Sequence, residues 1–169
     1  MIIAISGTPG VGKTFIAKKM SKATGGKLEY FDLNNYIKDN RLYDSYDKKD
    51  KTFDVDIEML KKDINPTLKN NTSTNKVMKS LVGKAITIDA LMKKIPKNTD
   101  GIIVDSHLSH YLESDYCIIV RTDLKKLYKR LKERKYSKSK ISDNVEAEIF
   151  EACLNEARKL KRNVIIFEN

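Results

Sequence analysis

Short apolar segments alternate along the chain with segments in which apolar residues recur every three or four positions. Five of the short segments predict buried strands, because turn signals bound them; they cover residues 1–5, 27–31, 101–105, 116–120 and 164–167. Helical spacing occupies most of the intervening chain; it covers residues 14–22, 33–40, 55–64 and 124–131. Apolar strands that alternate with helices are typical of a parallel sheet covered on both faces. The pattern therefore predicts a three-layer α/β fold, in which five parallel strands have helices on each side.

The remaining segments are less regular. Residues 41–54 are polar and predict turns, and Asn65-Pro66 predicts the end of the preceding helix, because proline cannot donate the helical hydrogen bond. Residues 76–95 have helical character with an irregular apolar pattern. A last helix is predicted to run from Ser142 or Asp143 to about residue 160, since either side chain can cap it.

One segment near the N-terminus carries specific chemistry. Residues 7–14, GTPGVGKT, match the Walker A pattern, with a predicted strand before them and a predicted helix after them. Glycines in such a loop let backbone N–H groups turn toward a phosphate, and the helix directs its positive end at the same anion. Lys13 supplies charge for the β- and γ-phosphates, and the Thr14 hydroxyl is a ligand for Mg²⁺. The segment, which includes Gly10, Val11 and Gly12, is predicted to bind ATP or a close relative and to support transfer of the γ-phosphoryl group.

Two side chains that follow a later strand belong to the same prediction. Asp105 closes the predicted strand 101–105, and parallel sheets place their ligands at the carboxyl ends of strands. We therefore expect Asp105 beside the Mg²⁺; the alternative is a cap for the next turn. His107 is one of only two histidines, and it is predicted to position a water or substrate or to relay a proton. For the second histidine, His110, a structural role is favoured, because lone histidines are more often structural than functional.

Positive charge is concentrated in residues 123–140, which hold nine Lys or Arg residues and two acids. Arg130 and Arg134 lie four positions apart and so share one helix face. They precede residues 135–140, a basic stretch without an apolar pattern. This arrangement predicts a basic flap that closes over a nucleotide and brings both arginines to the phosphates; the alternative is a solvated helix end.

The charge of the whole chain limits the function only loosely. Its formal net charge of +10 is typical of a protein that meets polyanions, and equally of a general bias toward lysine. No run approaches the roughly 20 apolar residues that would cross a bilayer, and the first residues lack the pattern of a cleavable signal. A soluble, cytoplasmic protein without a membrane partner is expected.

Further motifs are spread over most of the chain. They are LYDSYD at 42–47, VDSHLSH at 104–110, VRTDL at 120–124, LYKRL at 127–131, RKY at 134–136 and DNVEAEIF at 143–150. Together with the Walker A segment, they resemble the archaeal and eukaryotic-nuclear adenylate kinase family that doubles as a ribosome-assembly ATPase. The Walker A segment alone is unspecific, whereas the stretch from residue 121 to residue 148 is quite specific.

That resemblance implies a compact nucleoside monophosphate (NMP) kinase fold that uses ATP and Mg²⁺, with an NMP-binding segment at about 32–64 and a short lid at about 133–143. It implies the reaction ATP + AMP ⇌ 2 ADP, with weak ATPase activity. It also implies a small-subunit ribosomal protein as a partner and a role in late maturation of small-subunit rRNA.

Site residues carried over by the resemblance agree with those expected from the motifs. Gly10, Gly12, Lys13 and Thr14 would bind ATP, with Phe15 beside them. From the lid, Arg134 would contact ATP. Asp105 and His107 would form a Walker-B-like Asp-x-His element.

The sequence departs from the family pattern between the NMP segment and the strand that ends at Asp105, where extra residues intervene. Two similar segments, VDIEMLKK at 55–62 and IDALMKK at 88–94, leave either Asp56 or Asp89 as the acid at the start of the family's NMP helix. With Asp56 in that place, residues 66–84 would be an insertion. The lid lacks the four cysteines of zinc-bearing adenylate kinases, so no structural metal is expected.

Three hypotheses for the function follow. The first is an adenylate kinase that accepts AMP or another nucleoside monophosphate. The second is an ATP-dependent assembly switch that binds a ribosomal protein and rRNA and has little kinase activity. A third is a small-molecule kinase that acts on a hydroxyl, since Asp105 and His107 suit that chemistry equally well.

Overall fold

The structure, a computed structural model, describes residues 1–48, 50, 52–69 and 76–169. Its strands are β1 (Ile2–Ser6), β2 (Leu28–Asp32), β3 (Ser45–Asp47), β4 (Thr52–Asp54), β5 (Ala85–Ile86), β6 (Gly101–Asp105), β7 (Tyr116–Arg121) and β8 (Val164–Glu168). Its α-helices are α1 (Lys13–Ala23), α2 (Leu33–Asp39), α3 (Ile57–Lys69), α4 (Ile88–Lys94), α5 (Leu124–Glu133), α6 (Lys138–Ile149) and α7 (Ala152–Lys159). Short 3₁₀ turns cover Lys76–Leu81 and Ser109–Tyr111.

Within the described residues, the main sheet has the strand order β2-β6-β1-β7-β8-β5, and its strands are parallel. The first strand, β1, lies in the middle, where Ile5 pairs with Asp105 of β6 on one side and with Ile118 of β7 on the other. The carboxyl ends of these three strands therefore meet at one edge of the sheet. Ligands bind at this edge in open α/β folds.

Alternate residues of β1 supply the two layers of core beside the sheet, because side chains of a strand point to opposite faces. Ile3 and Ile5 pack in a cluster with Ile16 of α1, and α5 contributes to the same cluster. On the other face, Ile2 packs with Leu33 of α2, and α3 and α7 also cover this face. This arrangement confirms the predicted three-layer α/β fold.

The sheet has six strands where the sequence predicted five. The additional strand, β5, is only two residues long, and Ala85 and Ile86 pair with Ile166 and Phe167 at the edge of the sheet. Two residues cannot form a recognisable apolar run, so the segment was indistinguishable from the irregular pattern around it. A short antiparallel hairpin, β3–β4, likewise lies in the segment for which turns were predicted.

Three predicted helix boundaries were wrong. Helix α3 continues through Pro66 to Lys69: Pro66 cannot donate a helical hydrogen bond, but burial of Leu68 in the core holds the last turn in place. Helix α6 begins at Lys138 rather than at residue 142 or 143, because the Ser137 hydroxyl accepts a hydrogen bond from the Lys140 N–H at 3.1 Å. The predicted last helix is also divided in two, since Glu151 adopts a left-handed conformation with φ 53°.

The predicted insertion, residues 66–84, contributes to the core of the protein. Leu68 is buried on the α3 side of the sheet, and Met78 and Leu81 are buried on the α1 side. Of the two candidate acids, Asp56 accepts hydrogen bonds from the N–H groups of Glu58 and Met59 at the start of α3. Asp89 instead lies in the first turn of α4.

Among the helices in the described part of the chain, none has the length and apolar character needed to cross a membrane.

Candidate active site

The loop between β1 and α1, residues 7–14, is called the P-loop below. It lies against the rest of the site so closely that two of its glycines are required. At Gly7 (φ 135°), an added Cβ would lie 2.3 Å from the carbonyl oxygen of Val120. At Gly12 (φ 107°), it would meet only the end of the flexible Asn169 side chain, at 2.3 Å, so the constraint there is the left-handed conformation. The positive φ angles disfavour any other residue at both positions.

Lys13 lies at the start of α1 and is held by the P-loop. Its Nζ donates to the carbonyl oxygens of Gly7, at 2.7 Å, and Thr8, at 3.0 Å. Burial lowers the pKa of Lys13 to about 8, although the carboxylate of Asp105 acts in the opposite direction. The group is therefore a cation at neutral pH, poorly solvated and beside backbone N–H groups suited to an anion.

The pKa of Lys13 predicts how nucleotide affinity depends on pH. Phosphates stabilise the charged form, so the pKa of Lys13 rises when a nucleotide binds. Affinity should therefore be constant below pH 8 and fall by up to about tenfold per pH unit above it. Titration with a non-hydrolysable ATP analogue from about pH 7 to 9.5 measures this. Lys13→Arg should remove the dependence, because a guanidinium stays charged; a flat wild-type profile would contradict the assignment.

The two residues predicted to hold Mg²⁺ come together at the end of β6. Thr14 Oγ1 donates to Asp105 Oδ2 at 2.6 Å, and the Tyr30 hydroxyl donates to the same oxygen at 3.1 Å. Asp105 is 3% exposed. Burial, and secondly Asp105, raise the pKa of Tyr30 well above its usual value, so Tyr30 remains a donor. A carboxylate and a hydroxyl are hard oxygen ligands that fit Mg²⁺, which commonly takes one or two protein ligands alongside phosphate and water.

The two histidines have different environments. His107 is half-buried, and its pKa is lowered to about 4, first by burial and then by the positive charge of Lys13. It is therefore neutral at physiological pH and suited to hydrogen bonding rather than to carrying a charge. His110 is buried, with its Nδ1 2.7 Å from Ser6 Oγ and its Nε2 2.9 Å from Glu156 Oε2. These contacts give His110 a structural role between β1 and α7.

The arginines of α5 approach the P-loop from the side opposite Asp105's strand, since α5 follows β7. Arg130 Nη1 donates to the carbonyl oxygens of Gly10, at 3.3 Å, and Val11, at 3.2 Å. Arg134 lies at the C-terminal cap of α5 and is exposed, and its charge contributes to the lowered pKa of Lys13, after burial. Phe15, on the first turn of α1, is 61% exposed.

The predicted lid is only partly irregular. Residues 134–137 connect α5 to α6, and the rest of the lid is the first turn and a half of α6. Ser137 Oγ donates to Asp50 Oδ1 at 2.8 Å, and Lys140 Nζ donates to Thr52 Oγ1 at 2.6 Å and also to the Asp50 carbonyl oxygen. The lid therefore contacts the β3–β4 hairpin of the predicted NMP-binding segment.

A cavity of about 430 Å³ opens at the carboxyl ends of β7 and β8 and is lined by Arg121, Thr122, Asp123, Glu168 and Asn169. Asn169 Nδ2 donates to the Val11 carbonyl oxygen at 2.7 Å, which places the cavity beside the P-loop. Arg121, Thr122 and Asp123 belong to the VRTDL motif, but neither they nor Glu168 and Asn169 were predicted to line a site. The available signal was position, because both segments lie at the carboxyl ends of apolar strands.

Another contact that the sequence did not predict links the P-loop to α6. Thr8 Oγ1 donates to Glu148 Oε2 at 2.7 Å, and Arg121 Nε donates to Glu148 Oε1 at 3.4 Å. Both Thr8 and Glu148 are buried. Glu148 belongs to the DNVEAEIF motif, but no periodicity marks it as a partner of the P-loop.

Comparison with known proteins agrees with this geometry. A protein-family model described as an AAA domain matches residues 3–151. An adenylate kinase isoenzyme 6 homolog from Schizosaccharomyces pombe is 34% identical over 160 residues, which cover 93% of this chain and 74% of that protein. A Thermococcus kodakarensis protein named "Putative adenylate kinase" is 33% identical over 98% of this chain and 74% of its own length.

Similarity to solved structures is more distant in sequence. Deoxyadenosine kinase from M. mycoides, with bound dATP, aligns at 19% identity with a TM-score of 0.47, over 99% of this chain and 91% of that one. The P-loop, the parallel sheet and the two relatives, each more than 30% identical, establish the family. The chain belongs to the adenylate kinase-like family of P-loop nucleoside monophosphate kinases, and its chemistry is kinase-type phosphoryl transfer.

Proposed function

We propose that the protein transfers the γ-phosphoryl group of ATP to AMP, in the reaction ATP + AMP ⇌ 2 ADP. The observation that carries the proposal is the 2.6 Å contact between Thr14 and Asp105, which joins the P-loop to the end of the neighbouring strand β6. P-loop kinases generally use ATP with Mg²⁺. The donor nucleotide is thereby assigned to the P-loop side of Asp105.

The acceptor is assigned to the other side of Asp105, where α2, at the start of the predicted NMP-binding segment, packs beside β6. Asn34 Oδ1 accepts a hydrogen bond at 2.9 Å from Oγ of Ser106, the residue that follows Asp105. In the hairpin, the Phe53 ring lies 4.6 Å from that of Tyr43 and 4.8 Å from that of Tyr46. These rings offer an aromatic surface on which a base can stack, and this supports a second nucleotide site.

The proposed mechanism rests on charge and position rather than on covalent chemistry. Lys13 places its ammonium on the β- and γ-phosphates, and the P-loop N–H groups hold the β-phosphate. Thr14 and Asp105 would hold Mg²⁺, which neutralises phosphate charge when it is bound. Neutral His107 orients the acceptor phosphate through a hydrogen bond. The contact of Ser137 with Asp50 brings the lid and the hairpin together, and this favours transfer to AMP over transfer to water.

The adenine ring of ATP is assigned to the 430 Å³ cavity at the ends of β7 and β8. Its volume lies within the roughly 300–1,000 Å³ range of small-molecule sites. The Asn169 amide and the backbone of the loop after β7 provide hydrogen-bonding groups there. Because Asn169 lines the cavity and donates directly to Val11, the proposed base site lies at a fixed distance from the phosphate site in the P-loop.

Arg134→Ala is expected to slow phosphoryl transfer at least about tenfold, which corresponds to about 1.4 kcal/mol of barrier. An exposed guanidinium close to Lys13 can reach the transferring group when nucleotide is bound, and its loss removes positive charge from the transition state. Steady-state kinetics with ATP and AMP measures the effect. Arg158→Ala, an exposed arginine on α7, is the matched control; equal kinetics for both variants would make Arg134 an ordinary surface charge.

The acceptor specificity is tested by ADP formation from Mg·ATP, with and without AMP, CMP, UMP or GMP. The proposal expects a large increase with AMP over the rate with ATP alone, and only weak hydrolysis without an acceptor. A larger increase with another monophosphate would keep the kinase and change its substrate. Slow hydrolysis that is indifferent to every monophosphate would overturn the proposed reaction.

One surface favours a second role, as an ATP-dependent factor in maturation of the small ribosomal subunit. Helix α5 exposes Tyr128, which is 48% exposed, with Lys132 over its ring, and it also exposes Lys125, Lys126 and Lys129. Basic residues beside an exposed aromatic ring suit RNA, because bases stack on rings and phosphates bind cations. We propose rRNA and a small-subunit ribosomal protein as the partners in this role, with ATP acting as a switch.

This second role predicts RNA binding that weakens steeply with salt. Each neutralised phosphate of a single strand contributes about 0.7 to the log–log slope of affinity against salt concentration. Replacing Lys125 and Lys129 with glutamine should therefore reduce the slope by about 1 to 1.5. Binding of small-subunit rRNA fragments that is absent, or independent of salt, would contradict the role and leave the kinase activity unaffected.

A further inference from the structure

Helix α6 contacts the active site at both of its ends. At its C-terminal end, the Glu148 carboxylate accepts the Thr8 hydroxyl at 2.7 Å. Thr8 is 2% exposed and Glu148 is 4% exposed, so this contact is shielded from water. Thr8 is the second residue of the P-loop, and its carbonyl oxygen accepts a hydrogen bond from Lys13 at 3.0 Å.

The Glu148 carboxylate is held in a fixed position by more than the P-loop. Arg121, at the end of β7, donates to Glu148 Oε1 at 3.4 Å and to its backbone oxygen at 3.4 Å, and it also pairs with Glu151. The left-handed conformation of Glu151 ends α6 and turns the chain so that Arg121 contacts both carboxylates. A buried carboxylate that is paired and hydrogen-bonded resists displacement, since an unpaired one is costly in the interior.

At its N-terminal end, the same helix contacts the hairpin of the acceptor side. Ser137, the N-cap residue of α6, donates to Asp50, and Lys140 donates to the Asp50 carbonyl and to Thr52. Residues 140 and 148 are separated by about 12 Å along the axis, at about 1.5 Å per residue. Ile141 is buried between the two ends and anchors the helix in the core. The hairpin and the P-loop are thus connected through one short, continuous helix.

We propose that Glu148 is a positioning residue. It fixes the position of the P-loop through its hydrogen bond with Thr8, and its own position depends on where α6 and the hairpin lie. When the hairpin contact at Asp50 forms, α6 is held, and the Thr8–Glu148 hydrogen bond places the P-loop and Lys13 for transfer. Misplacement of reacting groups by about 1 Å can reduce a rate by two orders of magnitude, so such a link is expected to act on the rate. The inference rests on phosphoryl transfer at the P-loop and not on AMP as the acceptor.

The first test removes the hydroxyl of Thr8 and then restores it. Thr8→Val keeps the shape of the side chain, and we expect kcat to fall about tenfold while the Kd for an ATP analogue changes less than about threefold. Thr8→Ser should recover most of kcat, because it again donates to Glu148. Thermal unfolding and the fraction of binding-competent protein are measured for each variant. If Thr8 has only a structural role, Thr8→Val should contain fewer binding-competent molecules, but each of those molecules should have a normal kcat. That result would overturn the proposal.

A second pair of variants separates hydrogen bonding from charge. Glu148→Gln keeps an acceptor for Thr8, and Glu151 still pairs with Arg121, so kcat should fall less than in Thr8→Val. Glu146→Gln removes an exposed carboxylate two residues away on the same helix and should leave kcat unchanged. A larger loss in Glu148→Gln than in Thr8→Val would contradict the assigned role of the Thr8 hydrogen bond.

Coupling across the helix is tested by a double-mutant cycle between Asp50→Ala and Thr8→Val. Changes at independent sites about 10 Å or more apart multiply in rate. We expect Asp50→Ala to lower kcat about threefold in the wild-type background and to have no further effect when Thr8 is valine. Multiplied effects would overturn the link through α6. The same variants can be compared by ATP hydrolysis and by binding of the ATP analogue, neither of which needs AMP. Failure of AMP as the acceptor would therefore be distinguished from failure of the link through α6.

Discussion

Replacing Lys13 with alanine is expected to lower nucleotide turnover at least about a hundredfold, or about 2.7 kcal/mol of barrier, while the protein remains folded. Lys13 is the cation of the P-loop, held between the carbonyl oxygens of Gly7 and Thr8. Without Lys13, the neutral N–H groups of the P-loop remain, but the positive charge that stabilises the γ-phosphate is lost. Because burial opposes its protonation, its loss should cost little stability.

Lys22→Ala is the control for this experiment, since Lys22 is exposed in the last turn of the same helix. Turnover is measured as ADP formation, and folding by circular dichroism and thermal unfolding. Wild-type turnover in Lys13→Ala would contradict the assignment of the P-loop as the catalytic phosphate site. Loss of the folded signal would instead show that Lys13 supports the loop structurally.

Asp105→Asn is expected to lower Mg²⁺-dependent turnover by about a hundredfold or more. The carboxylate accepts hydrogen bonds from Thr14 and Tyr30 on a single oxygen, and it supplies the negative charge that a divalent cation needs. An asparagine can still accept from both hydroxyls, but it has no charge for the metal. The main effect should therefore appear as a higher Mg²⁺ requirement together with a lower maximal rate.

A Mg²⁺ titration of the rate separates these two effects. Asp100→Asn is the matched control, because Asp100 is exposed just before the opposite end of the same strand, β6. Unchanged Mg²⁺ dependence in Asp105→Asn would refute the predicted metal role. It would then leave Asp105 as a structural acceptor for Thr14 and Tyr30.

The P-loop and Asp105, which the sequence predicted to come together, share one physical property: each lies next to a continuous apolar strand. The P-loop follows β1 and Asp105 ends β6, so the rule that parallel strands carry ligands at their carboxyl ends was sufficient to bring them together. The 2.6 Å contact of Thr14 with Asp105 agrees with that expectation. Their catalytic roles remain predictions, as do those of His107 and Arg134.

Contacts between distant parts of the chain could not be read from local pattern. Thr8 and Glu148 are separated by 140 residues, and Asn169 and Val11 by 158. Such pairs depend on how helices pack over the sheet, which periodicity does not specify. The two-residue strand β5 and the paired strands β3 and β4 were missed for a different reason, since strands of two or three residues are too short to show alternation.

The helix boundaries show how tertiary contacts override local signals. Proline at position 66 predicts the end of a helix, but burial of Leu68 holds the following residues of α3 in helical conformation. In the lid, the basic composition of residues 135–140 gave no indication that Ser137 is a helix cap. Ser137 caps α6 five residues before Ser142, the earliest cap that was expected. The interruption at Glu151 coincides with a pair of contacts to Arg121, and no local sequence signal announces it.

The most direct test of the central claim is the fate of the γ-phosphoryl group. ATP labelled at the γ-phosphate is incubated with Mg²⁺ and AMP, and the products are separated. For an adenylate kinase, most of the label is expected in the β-position of ADP, and Lys13→Ala is expected to abolish its appearance there. Label found only in inorganic phosphate, at a rate that AMP does not change, would contradict the kinase reaction.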